Sequence, residues 1–111
     1  YDEVAYRYGG EEFIIIIRTK TDEQACQAGF RLCRLIGQKK IPYADGEIGI
    51  TVTAGTTRVQ RGETLDTALG RADRAMYQGK QTGRNRCMFM DENEQIALVD
   101  TNDGTSYPLS A

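Results

Sequence analysis

Hydrophobic residues at the beginning of the chain fall into two short runs that a pair of glycines separates. The runs cover residues 4–8 and 12–18, with Gly9 and Gly10 between them. Because glycine takes positive φ without steric cost, two extended runs joined in this way predict an antiparallel hairpin. The second run has isoleucine at the four consecutive positions 14–17. A strand that is apolar on both faces is typical of a central strand covered on both sides.

Two later segments carry apolar residues at helical spacing. The first begins at Thr21, which forms a capping-box pattern with Gln24, and its apolar stripe extends to Ile36. The second covers about residues 64–82, and Gly83 is placed to end it as a C-cap glycine.

The remaining apolar segments predict strands. Residues 48–54 alternate between apolar residues and glycine or threonine. A short extended piece is expected at 56–59, and a last strand is expected at 86–90. Polar residues dominate from Asp91, around the short apolar run 96–99. The order strand, strand, helix, strand, helix, strand predicts an α/β (α+β) sandwich, in which helices flank a mostly antiparallel central sheet.

Composition narrows the classes of function. A chain of 111 residues with net charge −2 predicts one domain and does not favour binding of a nucleic acid polymer. No apolar run is long enough to span a membrane, so no membrane contact is expected of this segment. The chain contains no histidine, which excludes zinc sites with histidine ligands and histidine-based acid–base catalysis within this chain. The three cysteines are too few and odd in number for a disulfide framework and fit a reduced, cytoplasmic domain. Of these, Cys26 and Cys33 are predicted to be small core residues rather than redox groups.

The glycine turn is the first candidate for chemistry. Gly9 and Gly10 leave no Cβ over the turn, so a ligand can approach the backbone closely. Glu11 and Glu12 follow directly, and their carboxylates could hold a divalent metal against phosphates. The alternative is a tight turn with two solvated acids.

The end of the second predicted helix is the other candidate. Lys80 and Arg84 are four residues apart, which predicts that both project from one helix face. They could grip a polyphosphate. Alternatively, they only compensate the helix dipole, which is worth about 0.3–1 kcal/mol for each cation.

Three ordered motifs resemble the GGDEF-domain family, the diguanylate cyclases. Residues 7–13 read Arg-Tyr-Gly-Gly-Glu-Glu-Phe, and residues 72–86 read Ala-Asp-Arg-Ala-Met-Tyr-Gln-Gly-Lys-Gln-Thr-Gly-Arg-Asn-Arg. Between them, residues 50–55 match the family's Val-Thr-x-Ser-x-Gly strand in type, with Thr53 in the serine position. The resemblance covers roughly residues 3–90. It therefore divides the chain into the C-terminal portion of a GGDEF domain at 1–90 and a tail or small added hairpin at 91–111.

The resemblance implies a fold like the palm of nucleotide cyclases and polymerases. It implies a bacterial signalling transferase that condenses two GTP into cyclic di-GMP and two pyrophosphates, with Mg²⁺ or Mn²⁺ as cofactor. Such domains work as homodimers, usually with an attached sensor or regulatory domain. The location implied is cytoplasmic, although a parent protein could be anchored in a membrane.

The resemblance also implies roles for individual residues of the turn. Glu11 would bind metal and help to deprotonate the 3′-hydroxyl, while Glu12 would lie close to the metal. Gly9 and Gly10 would shape the turn over the nucleotide. The role of Arg7, the basic residue ahead of the signature, is less defined.

For the second motif, the resemblance implies that Lys80 and Arg84 contact the terminal phosphates of GTP. Asp73 and Asn85 match motif positions to which we assign a structural role, holding the helix and its exit.

The sequence departs from the family pattern at its beginning. The family's first strand with a metal-binding Asp, the helices after it, and the Asn and Asp that read guanine would all fall before Tyr1. The chain by itself is therefore expected to be inactive. In the inhibitory product site, Glu3 stands where the family has Asp and the partner Arg would also precede Tyr1, so a product-binding role for Glu3 is doubtful.

Two other hypotheses remain open. The domain could be a non-catalytic GGDEF module that binds GTP or cyclic di-GMP to regulate a partner. It could also be a plain structural α/β domain whose hairpin and helix only resemble the motifs.

Overall fold

The structure is a computed structural model that describes the backbone of residues 3–100 and 106–108 and the side chains of residues 4–100. The described chain contains two helices and eight strands. In order they are β1 (Glu3–Arg7), β2 (Phe13–Ile17), α1 (Asp22–Gln38), β3 (Lys40–Tyr43), β4 (Gly46–Gly49), β5 (Ala54–Thr56), α2 (Leu65–Gln81), β6 (Cys87–Met90), β7 (Ile96–Val99) and β8 (Ser106–Pro108).

Both helices begin where the sequence predicts, and threonine caps each of them. The hydroxyl of Thr21 accepts a hydrogen bond from the N–H of Gln24 at 3.1 Å. The Gln24 side chain in turn accepts from the N–H of Lys20 at 2.7 Å. At the start of α2, the hydroxyl of Thr64 accepts from the N–H of Thr67 at 3.2 Å. These bonds satisfy N–H groups that have no partner inside the helix.

A four-stranded sheet forms the centre of the fold, in the order β5-β6-β7-β8. The β5–β6 pair is parallel and is connected through α2, whereas β6–β7 and β7–β8 are antiparallel. The hairpins β1–β2 and β3–β4 are separate two-stranded antiparallel sheets. The predicted mixed fold, with mostly antiparallel strands and flanking helices, is confirmed.

Strand β6 is buried on both faces by the two helices. Cys87 and Phe89 belong to the apolar cluster that α1 covers, while Met88 and Met90 pack with Ala75 of α2. Because successive side chains of a strand point to opposite faces, the two helices pack on opposite sides of the sheet.

The prediction that β2 is a central strand covered on both sides is wrong for the described chain. Strand β2 pairs with β1 alone, and Phe13, Ile15 and Ile16 are exposed. The isoleucine run correctly signals a strand, but among the described residues no second strand or helix covers it. Strand β6, whose four residues are all buried, takes the central position instead.

The single strand predicted at 48–54 is divided in the structure. Its first part lies in β4, which pairs with β3 through a turn at Ala44, where φ is +52°. Only 54–56 join the main sheet, and β5 ends at the first residue of the predicted 56–59 piece. Alternating residues suit either pairing, so the pattern alone cannot distinguish a local hairpin from a parallel partner more than thirty residues away.

Part of the predicted tail belongs to the sheet. Strand β7 pairs with β6, and β8 pairs with β7. Within the described residues, no helix is both long and apolar enough to span a membrane.

A buried arginine fixes the connection between β5 and α2. Arg71 of α2 is 6% exposed and forms an ion pair with Glu63. Its guanidinium also donates to the carbonyl oxygen of Arg58 at 2.7 Å and to the hydroxyl of Thr57 at 3.2 Å. The hydrogen bonds from Arg71 hold the pKa of the Glu63 carboxyl below its usual value. The network orients α2, and thereby the end of α2 that carries Lys80.

Candidate functional site

The turn between β1 and β2 is held by hydrogen bonds on both sides of its glycines. Gly9 has φ of +86°, a conformation that favours glycine. The N–H of Tyr8 donates to the carbonyl oxygen of Glu12 at 2.7 Å. The guanidinium of Arg7 donates to the carbonyl oxygen of Gly10 at 3.1 Å. Arg7 therefore closes the turn, which gives this residue a structural role.

The space over the turn is open, and two carboxylates border it. A Cβ added at Gly9 or Gly10 would meet nothing within 4 Å. Glu11 is exposed and Glu12 is half-buried. Mg²⁺ is usually held by one or two carboxylates together with substrate phosphates and water, so these acids fit part of a metal site. Among the side chains of residues 4–100, no group of three or more acidic or cysteine side chains is arranged to hold a metal ion.

The cationic pair is arranged differently from the prediction. Lys80 is in the last turn of α2, but the helix ends at Gln81 and Arg84 lies in the loop that follows. The two side chains therefore do not project from one helix face. Gly83, Arg84 and Asn85 all have positive φ, at +137°, +60° and +49°. Arginine in this conformation costs free energy, so the surrounding contacts must hold it.

Hydrogen bonds that involve two residues outside the predicted site, Thr53 and Arg86, hold this loop. The hydroxyl of Thr53 accepts from the N–H of Asn85 at 3.1 Å. The guanidinium of Arg86 donates to the carbonyl oxygen of Arg84 at 3.1 Å and to the hydroxyl of Thr82 at 3.3 Å. The position of Thr53 in the middle motif was the only sequence signal for its role. Arg86 had none beyond its place at the end of the third motif.

Thr53 also fills the space beside Gly79 of α2. A Cβ added at Gly79 would lie 2.7 Å from Cγ2 of Thr53 and 2.9 Å from Cγ of Met88. We expect Gly79→Ala to destabilise the protein by about 1–3 kcal/mol through overpacking, even though alanine favours a helix by about 1 kcal/mol. Thr53→Ser removes the methyl group and keeps the hydroxyl that binds Asn85. It should therefore recover part of this loss in the double variant, with a coupling of about 1 kcal/mol in urea unfolding, while the contact with Met88 remains.

Gly70 of α2 supplies the control for this cycle, because a Cβ there would meet nothing within 4 Å. Gly70→Ala and Thr53→Ser should be additive. Additivity of Gly79→Ala with Thr53→Ser would contradict the proposed contact.

The structure places the predicted site residues in two separate groups. Glu11 and Glu12 lie at the hairpin turn, and Lys80 and Arg84 lie at the end of α2; no hydrogen bond or ion pair among the described residues joins the two groups. Asp73 is exposed on α2. The Glu3 side chain is outside the described residues.

Comparison with protein families gives one match over most of the chain. The family model described as "Diguanylate cyclase, GGDEF domain" matches residues 1–86. This range contains the glycine turn, the Thr53 motif and the loop with Arg84.

Three similar proteins are also named diguanylate cyclases. The chain is 60% identical over 97 residues to diguanylate cyclase DgcZ of Escherichia coli (strain K12), covering 87% of this chain and 33% of that protein. It is 33% identical over 92 residues to diguanylate cyclase A of Treponema denticola, covering 82% and 25%. It is 38% identical over 89 residues to diguanylate cyclase VdcA of Vibrio cholerae, covering 76% and 26%. The chain thus spans a third or less of the length of these relatives.

Proposed function

The chain belongs to the GGDEF-domain family of diguanylate cyclases, and we propose from this that the protein containing it condenses two GTP into cyclic di-GMP and two pyrophosphates. The observation that carries the proposal is the turn at Gly9–Glu12. It retains both acids of the signature beside an open surface where backbone can approach a nucleotide. To catalyse phosphoryl-type transfer, a protein mainly has to position the reacting groups and stabilise the charge of the transition state, and such a turn can do both.

In this proposal the residues of the turn orient the reacting groups. Gly9 and Gly10 let the nucleotide lie against the backbone, and the hydrogen bonds of Arg7 and Tyr8 keep the turn rigid. Glu11 and Glu12 would hold Mg²⁺ or Mn²⁺, whose charge stabilises the phosphates of GTP during transfer. Glu11 would also accept the proton of the 3′-hydroxyl that attacks the α-phosphate.

The cations at the end of α2 would bind the part of GTP that leaves as pyrophosphate. Lys80 extends from the last turn of the helix, and the backbone of the loop presents Arg84 in a fixed orientation. Arginine suits this role because its planar guanidinium can bind phosphate oxygens with two hydrogen bonds.

The other residues that bind GTP and metal would belong to parts of the protein outside residues 1–111. We propose that the whole protein acts as a homodimer, in which each GTP is attacked by the 3′-hydroxyl of the other. The relatives are longer than the matched region, which agrees with an additional sensor or regulatory domain. A cytoplasmic location agrees with the use of GTP as substrate.

The test is incubation of the full-length protein with GTP and Mg²⁺, followed by chromatography and mass spectrometry of the products. Cyclic di-GMP and pyrophosphate in a 1:2 ratio are expected. Isothermal titration that detects GTP binding while no product forms would instead assign the domain as a non-catalytic binding module. Failure to bind any guanine nucleotide would favour a structural domain.

Removal of either cation at the end of α2 should weaken the use of GTP. Lys80→Gln and Arg84→Gln remove the charge and keep a polar side chain, and we expect each to lower kcat/KM by about 10–100-fold. The exposed Arg61 in the loop before α2 provides the matched control, and Arg61→Gln should leave kcat/KM within about twofold. Equal, small effects at all three positions would assign Lys80 and Arg84 to helix-dipole compensation alone.

A further inference from the structure

Two thiols from different elements of the fold line one cavity. Cys33 is on α1 and Cys87 is the first residue of β6, and both are buried in the same apolar cluster. The cavity that both residues line has a volume of about 230 Å³. Its lining also includes Phe30, Arg34, Asn85, Arg86, Leu98, Val99 and Asp100. Since Arg34, Asn85 and Asp100 are exposed, the cavity reaches the protein surface.

The backbone geometry places both thiols where α1 packs against β6. Sγ of Cys33 lies 3.6 Å from the carbonyl oxygen of Arg86, the peptide group that leads into Cys87. One helical turn before Cys33, a Cβ added at Gly29 would lie 2.6 Å from Sγ of Cys87. Glycine at position 29 thus lets the Cys87 thiol lie directly against the face of α1 that carries Cys33.

The two thiols differ in their acidity. A hydrogen bond from Cys87 lowers the pKa of Cys33, so its thiolate is favoured. The same hydrogen bond, together with burial, raises the pKa of Cys87. Cys26, the third buried thiol, has its pKa raised to about 12 by burial and by the charges of Asp22 and Glu23. Cys33 is therefore the reactive member of the three, and Arg34 and Arg86 beside it favour an anionic reagent.

We propose that Cys33 and Cys87 are a redox-active pair that a low-molecular-weight disulfide such as oxidised glutathione converts to an intramolecular disulfide. This role differs from the one that the sequence predicts for Cys33, which is a small core residue and not a redox group. The inference rests on the cavity and on the placement of both thiols, and it does not depend on the proposed enzymatic activity.

The chemistry consists of two exchanges. The Cys33 thiolate attacks one sulfur of oxidised glutathione; the S–S bond of the reagent breaks, a mixed disulfide forms on Cys33, and one glutathione thiolate leaves and takes a proton. The Cys87 thiol then gives its proton to water, and its sulfur attacks that of Cys33 and releases the second glutathione. In total, two protein thiols are oxidised by two electrons and the reagent is reduced to two thiols.

The disulfide would join α1 to the strand that follows the Arg84 loop. It would replace the hydrogen bond that Cys33 donates to the carbonyl oxygen of Arg86. The guanidinium of Arg86 donates to the carbonyl oxygen of Arg84. Oxidation would therefore change the contacts of Arg86, which supports the Arg84 loop, and would leave those of the glycine turn as they are.

Trypsin digestion makes the test direct, because Lys20, Arg31, Arg34 and Arg86 place the three thiols on three different peptides. The full-length protein is treated with oxidised glutathione, its remaining free thiols are alkylated under denaturing conditions, and it is digested without reductant. We expect mass spectrometry to find peptide 32–34 joined to the peptide that begins at Cys87, lighter by two hydrogen atoms than the sum, and separated again by dithiothreitol. Peptide 21–31, which contains Cys26, should be alkylated.

Two variants complete the test. In Cys87→Ser, Cys33 should remain as the mixed disulfide with glutathione, whereas Cys26→Ser should form the same cross-link as the natural protein. A disulfide that contains Cys26, or alkylation of both Cys33 and Cys87 after treatment, would overturn the proposal. If Cys87→Ser does not fold, as judged by circular dichroism, the peptides of the natural protein decide the question alone.

Discussion

Glu11→Gln is expected to abolish cyclic di-GMP synthesis by the full-length protein, with kcat reduced by at least about 100-fold. Glutamine has nearly the same shape as glutamate but carries no charge and cannot accept the proton of the 3′-hydroxyl. The side chain is exposed at the tip of the turn, so the substitution should leave the unfolding midpoint unchanged. The measurement is product formation from GTP at saturating Mg²⁺, with unfolding followed in parallel.

A matched substitution at an acid outside the turn distinguishes the loss of a carboxylate at the site from the change in the net charge of the protein. Glu47 is exposed on β4, and Glu47→Gln should retain full activity. Glu12→Gln should have an intermediate effect, because Glu12 is half-buried and lies next to Glu11, the carboxylate proposed to act as metal ligand and base. Normal turnover by Glu11→Gln would contradict the assignment of Glu11 as a metal ligand and base.

Local patterns were sufficient to predict the elements that local interactions form. The β1–β2 hairpin follows from two glycines between extended runs, and both helix starts follow from a threonine followed by a hydrogen-bonded N–H three residues later. The pairing of β5 with β6 could not be predicted in the same way. It joins positions 54–56 to positions 87–89, and the choice depends on how α2 packs and not on the alternation of either strand.

In the candidate site, too, the sequence predicts the local features and misses the contacts that the tertiary fold makes. Its glycines, acids and cations are recognisable from residue type and order, but the support of the Arg84 loop is not. The positive φ of Arg84 and Asn85 depends on hydrogen bonds from Arg86 and to Thr53, and Thr53 is thirty-two residues from Asn85. Such contacts come from the tertiary fold. The C-cap signal of Gly83 does place Arg84 beyond the helix, but residue spacing could not show which residues hold the loop.

Gly55, the last residue of the middle motif, has a packing role that explains its presence. It lies in β5 directly under α2, where an added Cβ would clash with the carbonyl oxygen of Ala72 and the N–H nitrogen of Met76. It would also lie 2.8 Å from Cβ of Met76. Two of the three obstacles are helix backbone, which cannot move away as a flexible side chain would. The absence of a side chain at position 55 therefore sets the distance between α2 and the sheet.

We accordingly expect Gly55→Ala to destabilise the protein by more than about 4 kcal/mol, a loss that few single substitutions cause. Relief of the clash requires α2 to move away from β5 and β6, which would also displace Lys80 and the Arg84 loop, so any folded fraction should use GTP poorly. Urea unfolding measures the first effect and product formation the second. Gly70→Ala, in the same helix but with nothing within 4 Å of the added Cβ, should instead stabilise the protein by roughly 0.5–1 kcal/mol and leave activity intact. If the two variants behaved alike, close packing of α2 on Gly55 could not be what holds the cationic end of the site in place.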